Sequence, residues 1–242
     1  MSYGCDIGCE TVPSVVSELF SMVVAVEEAQ LDYFAPDIAL LLTPERPAVE
    51  RAVVERRREF VAGRLLARRA MHRLGHPIVP IPAGADGAPV WPAGLTGSIT
   101  HARTWCAVAL ARRTSVRTVG IDVEEGEPLA PELWPTVCTD REFGWLYSLP
   151  AKHRGRAAKL IFSAKESAYK ALYQITRRFL DFSAMSIDFA KDESWQATLR
   201  VTCGDEFAKG HRIRGRWRVS MGLIATAAML PLNSSEVTKA EP

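Results

Sequence analysis

Two segments with helical spacing of apolar residues, each followed by short β-branched runs, constrain this 242-residue chain more than any other feature. The first spans residues 49–74 (VERAVVERRREFVAGRLLARRAMHRL), where Val49, Val53, Phe60, Ala67, Met71 and Leu74 recur at helical intervals before Gly75 and Pro77 stop the pattern. The second covers about residues 156–174, where Leu160, Ala164, Ala168 and Ala171, with Ile175 just beyond, make an apolar stripe. Behind the first helix, residues 105–111 and 115–124 read as strands and are expected to pair antiparallel across residues 112–114. Behind the second, residues 183–189, 195–201, 213–219 and 223–229 read as strands. In the third of these, Ile213, Gly215, Trp217 and Val219 alternate with Arg212, Arg214, Arg216 and Arg218.

A helix followed by antiparallel strands, twice over, implies an α+β fold in two halves. Pro and Gly interrupt the pattern near residues 126–131, which places the halves at 14–125 and 126–230. Residues 1–13 and the tail 231–242 carry no periodicity and are expected to fray. The Pro- and Gly-rich connection over residues 77–97 is long for a compact domain, and loops of that length usually serve a function.

Charge and cysteine usage narrow the function classes. The net charge of +2 rules out a polycation that coats nucleic acid, so any basic function is local. Cysteines at 5, 9, 106, 138 and 203 form no CxxC pair, which argues against structural zinc and for reduced thiols. The apolar stretch at 22–26 is too short to span a bilayer, and no Lys or Arg precedes Arg46. A cytoplasmic protein without a membrane partner is expected.

Four groups of residues could carry chemistry. In GIDVE (residues 120–124), the two-residue period of a strand puts Asp122 and Glu124 on one face and Ile121 and Val123 on the other. Adjacent carboxylates with no His or Cys nearby suit a hard cation, Mg²⁺ or Mn²⁺, while a solvated strand face remains open. In FSAKESAYK (residues 162–170), Glu166 and Lys170 share a helix face beside Lys165, as a surface ion pair or as part of a site. Arg56, Arg57 and Arg64 fall close in angle on the first helix, and residues 46–73 hold nine Arg against three Glu, a local excess suited to phosphate oxygens. Thr100 and His101 end the GSITH segment that follows the Gly-rich connection. The chain has no GxSxG elbow, Walker loop or GxGxxG, so acyl hydrolysis, P-loop and dinucleotide chemistry lose their usual support.

The order REFxxGRxxAxxA, PxWPxGxxGSITH, GIDVE and FSAKESxYKA resembles the 4′-phosphopantetheinyl transferases of the broad-specificity bacterial type, the kind that activates surfactin and enterobactin synthetases. The resemblance runs from about residue 45 to 189. It implies a pseudodimer of two similar halves, each a helix packed on an antiparallel sheet, with the active site between them. It also implies transfer of the phosphopantetheine arm of coenzyme A to a serine of apo acyl or peptidyl carrier proteins, leaving adenosine 3′,5′-bisphosphate.

By that resemblance Asp122, Glu124 and Glu166 match the Mg²⁺ carboxylates, Glu166 the base for the carrier serine, and Lys170 the cation at the departing phosphate. Arg56, Arg64, Thr100 and His101 match coenzyme A contacts, and Lys165 a basic residue beside the pyrophosphate. Asp122, Glu166 and Lys170 also count among the coenzyme A-binding residues. Related enzymes often carry a Lys or Arg in the turn at residues 83–87, which here reads AGADG. The resemblance implies siderophore, polyketide or nonribosomal peptide assembly as the setting, a monomer, and no nucleic acid partner. The alternatives are a Mg²⁺-dependent nuclease, with the same carboxylates and arginines on a nucleic-acid phosphate, and an Arg-rich nucleic-acid-binding module.

Overall fold

The computed structural model describes residues 14–20 and 23–232. The expected fraying at residues 1–13 and from residue 233 onward lies outside them. The larger elements are β1 (Val24–Gln30), α1 (Val54–Arg73), β2 (Leu95–His101), β3 (Trp105–Arg112), β4 (Thr118–Glu125), α2 (Trp134–Val137), α3 (Asp140–Ser148), α4 (Ala151–Thr176), β5 (Met185–Phe189), β6 (Ser194–Leu199), β7 (Arg212–Ser220) and β8 (Leu223–Leu230). They build two antiparallel sheets, one of three strands in the order β1-β3-β2 and one of five in the order β4-β8-β7-β6-β5.

Alternation along β3 explains how the layers stack. Cys106, Val108 and Leu110 face Ala62, Leu66, Ala67, Ala70 and Met71 of α1. The intervening Trp105, Ala107, Ala109 and Ala111 face the other way, into a core shared with Ile121 and Val123 of β4 and Ala225 and Ala227 of β8. Alanines at 107, 109 and 111 and at 225 and 227 let the two sheets come close along most of β3, while Trp105 fills the core at the start of the strand. On the far face of the five-stranded sheet, Ala164, Ala168, Ala171 and Leu172 of α4 pack against Trp195, Ala197 and Ile213. Each sheet therefore carries one long helix on its outer face, which is the α+β arrangement that the repeated helix-and-strands pattern implies.

The expected pairing of the strands at 105–111 and 115–124 is wrong. β3 lies between β1 and β2, with Val108 opposite both Glu27 and Ile99. β4 instead pairs with β8, with Asp122 opposite Thr226. The linker is short enough for a hairpin, but the apolar faces of β3 and β4 meet each other across the inter-sheet core, and packing face to face excludes pairing edge to edge. β4, which a division at residue 126 leaves with the first half, hydrogen-bonds in the second sheet.

The first helix begins at Val54 rather than 49. Val53 is extended, and Val49 closes a 3₁₀ segment and packs in a small cluster with Leu41, Phe60 and Val61. The second is longer than its apolar stripe, from Ala151 to Thr176, and ends where Arg177 turns left-handed at φ 51°. Cys106, Cys138 and Cys203 are free and buried. Among the described residues, no helix is long and apolar enough to cross a membrane.

Candidate active site

α4 lies directly on β4 because β4 offers no side chain where the two cross. A Cβ on Gly120 would sit 2.0 Å from the Ser167 carbonyl oxygen and 2.7 Å from the Ala171 nitrogen. Beside it, Thr118 donates to the Ala171 carbonyl at 2.9 Å. The next residues on that face of the strand are Asp122 and Glu124, and the close crossing carries them onto Glu166 and Lys170.

Lys170 does not pair along its own helix with Glu166. Its Nζ reaches across to Asp122 Oδ1 at 2.7 Å and to the Ile121 carbonyl at 3.2 Å. Asp122 is 4% exposed; Thr100 Oγ1 also donates to Oδ1, at 3.3 Å, while Oδ2 is buried with no hydrogen-bond partner among the described residues. Lys159 holds Glu124 at 3.0 Å. Glu166 makes no hydrogen bond or ion pair among the described residues; burial raises its pKa, the nearby Lys170 charge opposes the rise, and Asp122 and Glu124 add to it. Burial, and then Asp122, likewise raise the pKa of Glu124 against the pull of Lys159.

Asp122 and Glu124 are thus each held by a lysine. Among the described residues, no three His, Cys, Asp or Glu side chains are gathered as a ready ligand set for a metal. The cluster is nevertheless short of positive charge, since one buried carboxylate oxygen is orphaned and two carboxyl groups are pushed toward protonation. An all-oxygen donor set in that state fits a hard divalent cation.

The end of β2 brings the phosphate-type residues alongside. His101 Nε2 lies 3.0 Å from Arg56 Nη1 and 3.4 Å from Glu59 Oε2. Burial lowers the His101 pKa; Arg56 and Lys170 act in the same direction, and Glu59 and Asp122 oppose them. A guanidinium N–H can only donate, so His101 Nε2 is the acceptor in its contact with Arg56. The expected three-arginine sector is dispersed, because helix angle alone does not fix where long side chains end. Arg57 donates to the Glu50 carbonyl at 2.7 Å. Arg64 is 4% exposed, stacks 4.0 Å over Phe60 and donates through Nε to the Ile81 carbonyl at 2.7 Å. Burial lowers the Arg64 pKa to about 10, which leaves it charged at neutral pH and tied to the 77–94 connection.

Lys165 does not join this cluster. Both it and Glu142 of α3 are 1% exposed; Lys165 Nζ donates to Glu142 Oε2 at 2.8 Å, the Val137 carbonyl at 2.7 Å and the Phe182 carbonyl at 2.8 Å. One helical residue is about 100° of rotation, enough to turn the neighbour of Glu166 into the core.

Several contributing residues escape the sequence reading. Lys159 stands seven residues before Glu166, a spacing that could have placed it on the same face. Glu142 also closes a capping box with Thr139 at the start of α3, and the TDRE signature at 139–142 carries that signal. In the 83–87 turn, Asp86 accepts from the Tyr173 hydroxyl at 2.6 Å and lies 3.5 Å from Arg177, so the turn without a basic residue docks on the end of α4.

Comparison with known proteins matches the profile of the 4′-phosphopantetheinyl transferase N-terminal domain to residues 44–111 and that of the 4′-phosphopantetheinyl transferase superfamily to residues 118–221. The second begins at the first residue of β4. The chain is 37% identical over 199 residues to the 4′-phosphopantetheinyl transferase Svp of Streptomyces mobaraensis, covering 80% of each. It is 33% identical over 229 residues to the 4′-phosphopantetheinyl transferase PptT of Mycobacterium tuberculosis, covering 91% of this chain and all of that one. It is 35% identical over 156 residues to enterobactin synthase component D of Escherichia coli K12, covering 61% of this chain and 70% of that one.

Proposed function

The chain belongs to the 4′-phosphopantetheinyl transferase superfamily, and from that premise we propose that it moves 4′-phosphopantetheine from coenzyme A to a serine of an apo acyl or peptidyl carrier protein. The reaction is read as Mg²⁺-dependent, cytoplasmic and serving siderophore, polyketide or nonribosomal peptide assembly, with adenosine 3′,5′-bisphosphate as the second product. The observation that carries this reading is the meeting of Asp122, Glu166 and Lys170 where α4 crosses β4, beside Arg56 and His101 at the end of β2.

Each residue has a task that its surroundings suit. Arg56 and His101 bind the nucleotide phosphates, with the imidazole as the candidate for the ribose 3′-phosphate. Asp122, Glu124 and Glu166 are the residues that would hold Mg²⁺, which when bound supplies positive charge at the pyrophosphate. The carrier serine oxygen bonds to phosphorus as the P–O bond to the adenosine 3′,5′-bisphosphate breaks. Glu166, with no fixed partner and a raised pKa, takes the serine proton directly or through a water. Lys170 neutralises or protonates the leaving phosphate oxygen.

The reaction is tested by incubating the protein with coenzyme A, Mg²⁺ and an apo carrier protein and assaying adenosine 3′,5′-bisphosphate by chromatography. Stoichiometric release that needs both the carrier serine and the metal supports the reading, and no release by folded protein overturns it.

A further inference from the structure

β4 is the edge strand of the five-stranded sheet, so its outward N–H groups lack a backbone ladder. β2 supplies one from its side chains. Ser98 Oγ accepts from the Ile121 N–H at 3.1 Å and Thr100 Oγ1 accepts from the Val123 N–H at 3.2 Å. One step earlier, Gln174 joins the strands, accepting from the Thr96 hydroxyl at 2.7 Å and donating to the Val119 carbonyl at 2.6 Å. Positions 96, 98 and 100 thus stand against 119, 121 and 123 at a constant offset of 23 residues, a parallel seam of side chains between two sheets.

Thr100 differs from Ser98 in one respect. Its hydroxyl proton goes to Asp122 Oδ1, the oxygen that also receives Lys170, while Oδ2 receives no bond from the described residues. Two donors converging on one carboxylate oxygen fix the rotation of the group and leave the other oxygen with its lone pairs unspent. We propose that Thr100 is a positioning residue: its hydroxyl holds Asp122 so that Oδ2 is the oxygen presented to a divalent cation, while Ser98 merely closes the seam. This assignment rests on the metal role of Asp122 proposed above, and it gives Thr100 a task other than contact with coenzyme A.

Ser98 supplies the control, because Ser98→Ala and Thr100→Val each orphan one N–H of β4, but only Thr100→Val removes a donor from Asp122. Mn²⁺ binding to the whole protein without coenzyme A, followed by electron paramagnetic resonance of the free ion, reads the effect directly. Thr100→Val is expected to bind Mn²⁺ about 10-fold or more weakly, the scale of one hydrogen bond to a charged group. Ser98→Ala is expected to stay within about 3-fold of the wild type, and Thr100→Ser, which restores the hydroxyl, to recover most of the loss. Should Thr100→Val not fold, Thr100→Ala takes its place in the same comparison. Wild-type affinity in the hydroxyl-free variant, or equal weakening by Ser98→Ala, overturns the positioning role. If the wild type itself binds no Mn²⁺, both the inference and the metal role fail, whereas carrier modification that persists with wild-type metal affinity in Thr100→Val removes the inference alone.

Discussion

Lys170 and Asp122 lie 48 positions apart in the chain and meet at 2.7 Å, joining the C-terminal third of α4 to the middle of β4. The contact leaves the second oxygen of a buried carboxylate without a partner among the described residues, and it frees Glu166 from the helix-face pairing that its spacing from Lys170 would otherwise suggest. A structural ion pair would leave turnover untouched when broken. A cation stationed at the reacting phosphate would not.

Lys170→Ala is accordingly expected to cut single-turnover transfer at saturating coenzyme A by about 10²-fold or more, the range of general acid catalysis. Loss of a bond to a buried carboxylate should also cost about 1 to 3 kcal/mol of stability. Rapid-quench kinetics alongside a melting curve separates the two, and an unchanged rate with lowered stability would leave Lys170 purely structural.

Lys165 gives the converse prediction. Removing one partner of a buried ion pair strands the other charge, so Lys165→Ala should destabilise by about 3 to 5 kcal/mol. The affinity of the folded fraction for coenzyme A should stay within about 2-fold. The double change Lys165→Met with Glu142→Leu should regain much of the stability. Urea unfolding and calorimetry test this, and a stable Lys165→Ala protein that cannot bind coenzyme A would place the lysine at the pyrophosphate after all.

His101 predicts a pH dependence of binding. Its pKa lies below the ordinary histidine value chiefly because of burial, so the free protein disfavours the charged ring. A phosphate placed beside it favours the charged form, so binding takes up a proton and affinity should strengthen as pH falls from about 8 to 6.5. Calorimetry in buffers of different ionisation enthalpy should detect the uptake with coenzyme A and lose it in His101→Gln or with a donor lacking the 3′-phosphate. Equal uptake with both donors would detach His101 from that phosphate.

Gly120→Ala tests the crossing itself. The added methyl meets the backbone of α4, which cannot rotate away, so stability should fall by about 1 to 3 kcal/mol or more. Transfer should drop as well, although Asp122, Glu166 and Lys170 are all retained, because α4 must lift from β4. Wild-type activity with a normal melting temperature would show that the close approach is dispensable.

The parts legible in the sequence are those written as local periodicity. The stripe Leu160, Ala164, Ala168, Ala171 marks α4 without help from its surroundings, and the alternation at 213–219 marks β7. The partner of β4 is not legible, since Ile121 and Val123 fit a hairpin with β3 as well as the pairing with β8 that the inter-sheet core selects. For the site, spacing puts Asp122 with Glu124 and Glu166 with Lys170, but only the bare backbone of Gly120 brings the two pairs together. Lys165 illustrates what spacing misses: its neighbour Glu166 joins the carboxylate cluster, yet the acceptors at Glu142, Val137 and Phe182 belong to elements that no local pattern associates with it.

The β4–α4 crossing is proposed to be where a phosphopantetheine arm is transferred. Intact-mass spectrometry of an apo carrier protein, incubated with coenzyme A, Mg²⁺ and either the wild type or Asp122→Ala, tests it most directly. A gain of one phosphopantetheine on the carrier serine is expected with the wild type and none with a folded Asp122→Ala protein. An unmodified carrier in the first reaction, or a fully modified one in the second, would contradict it.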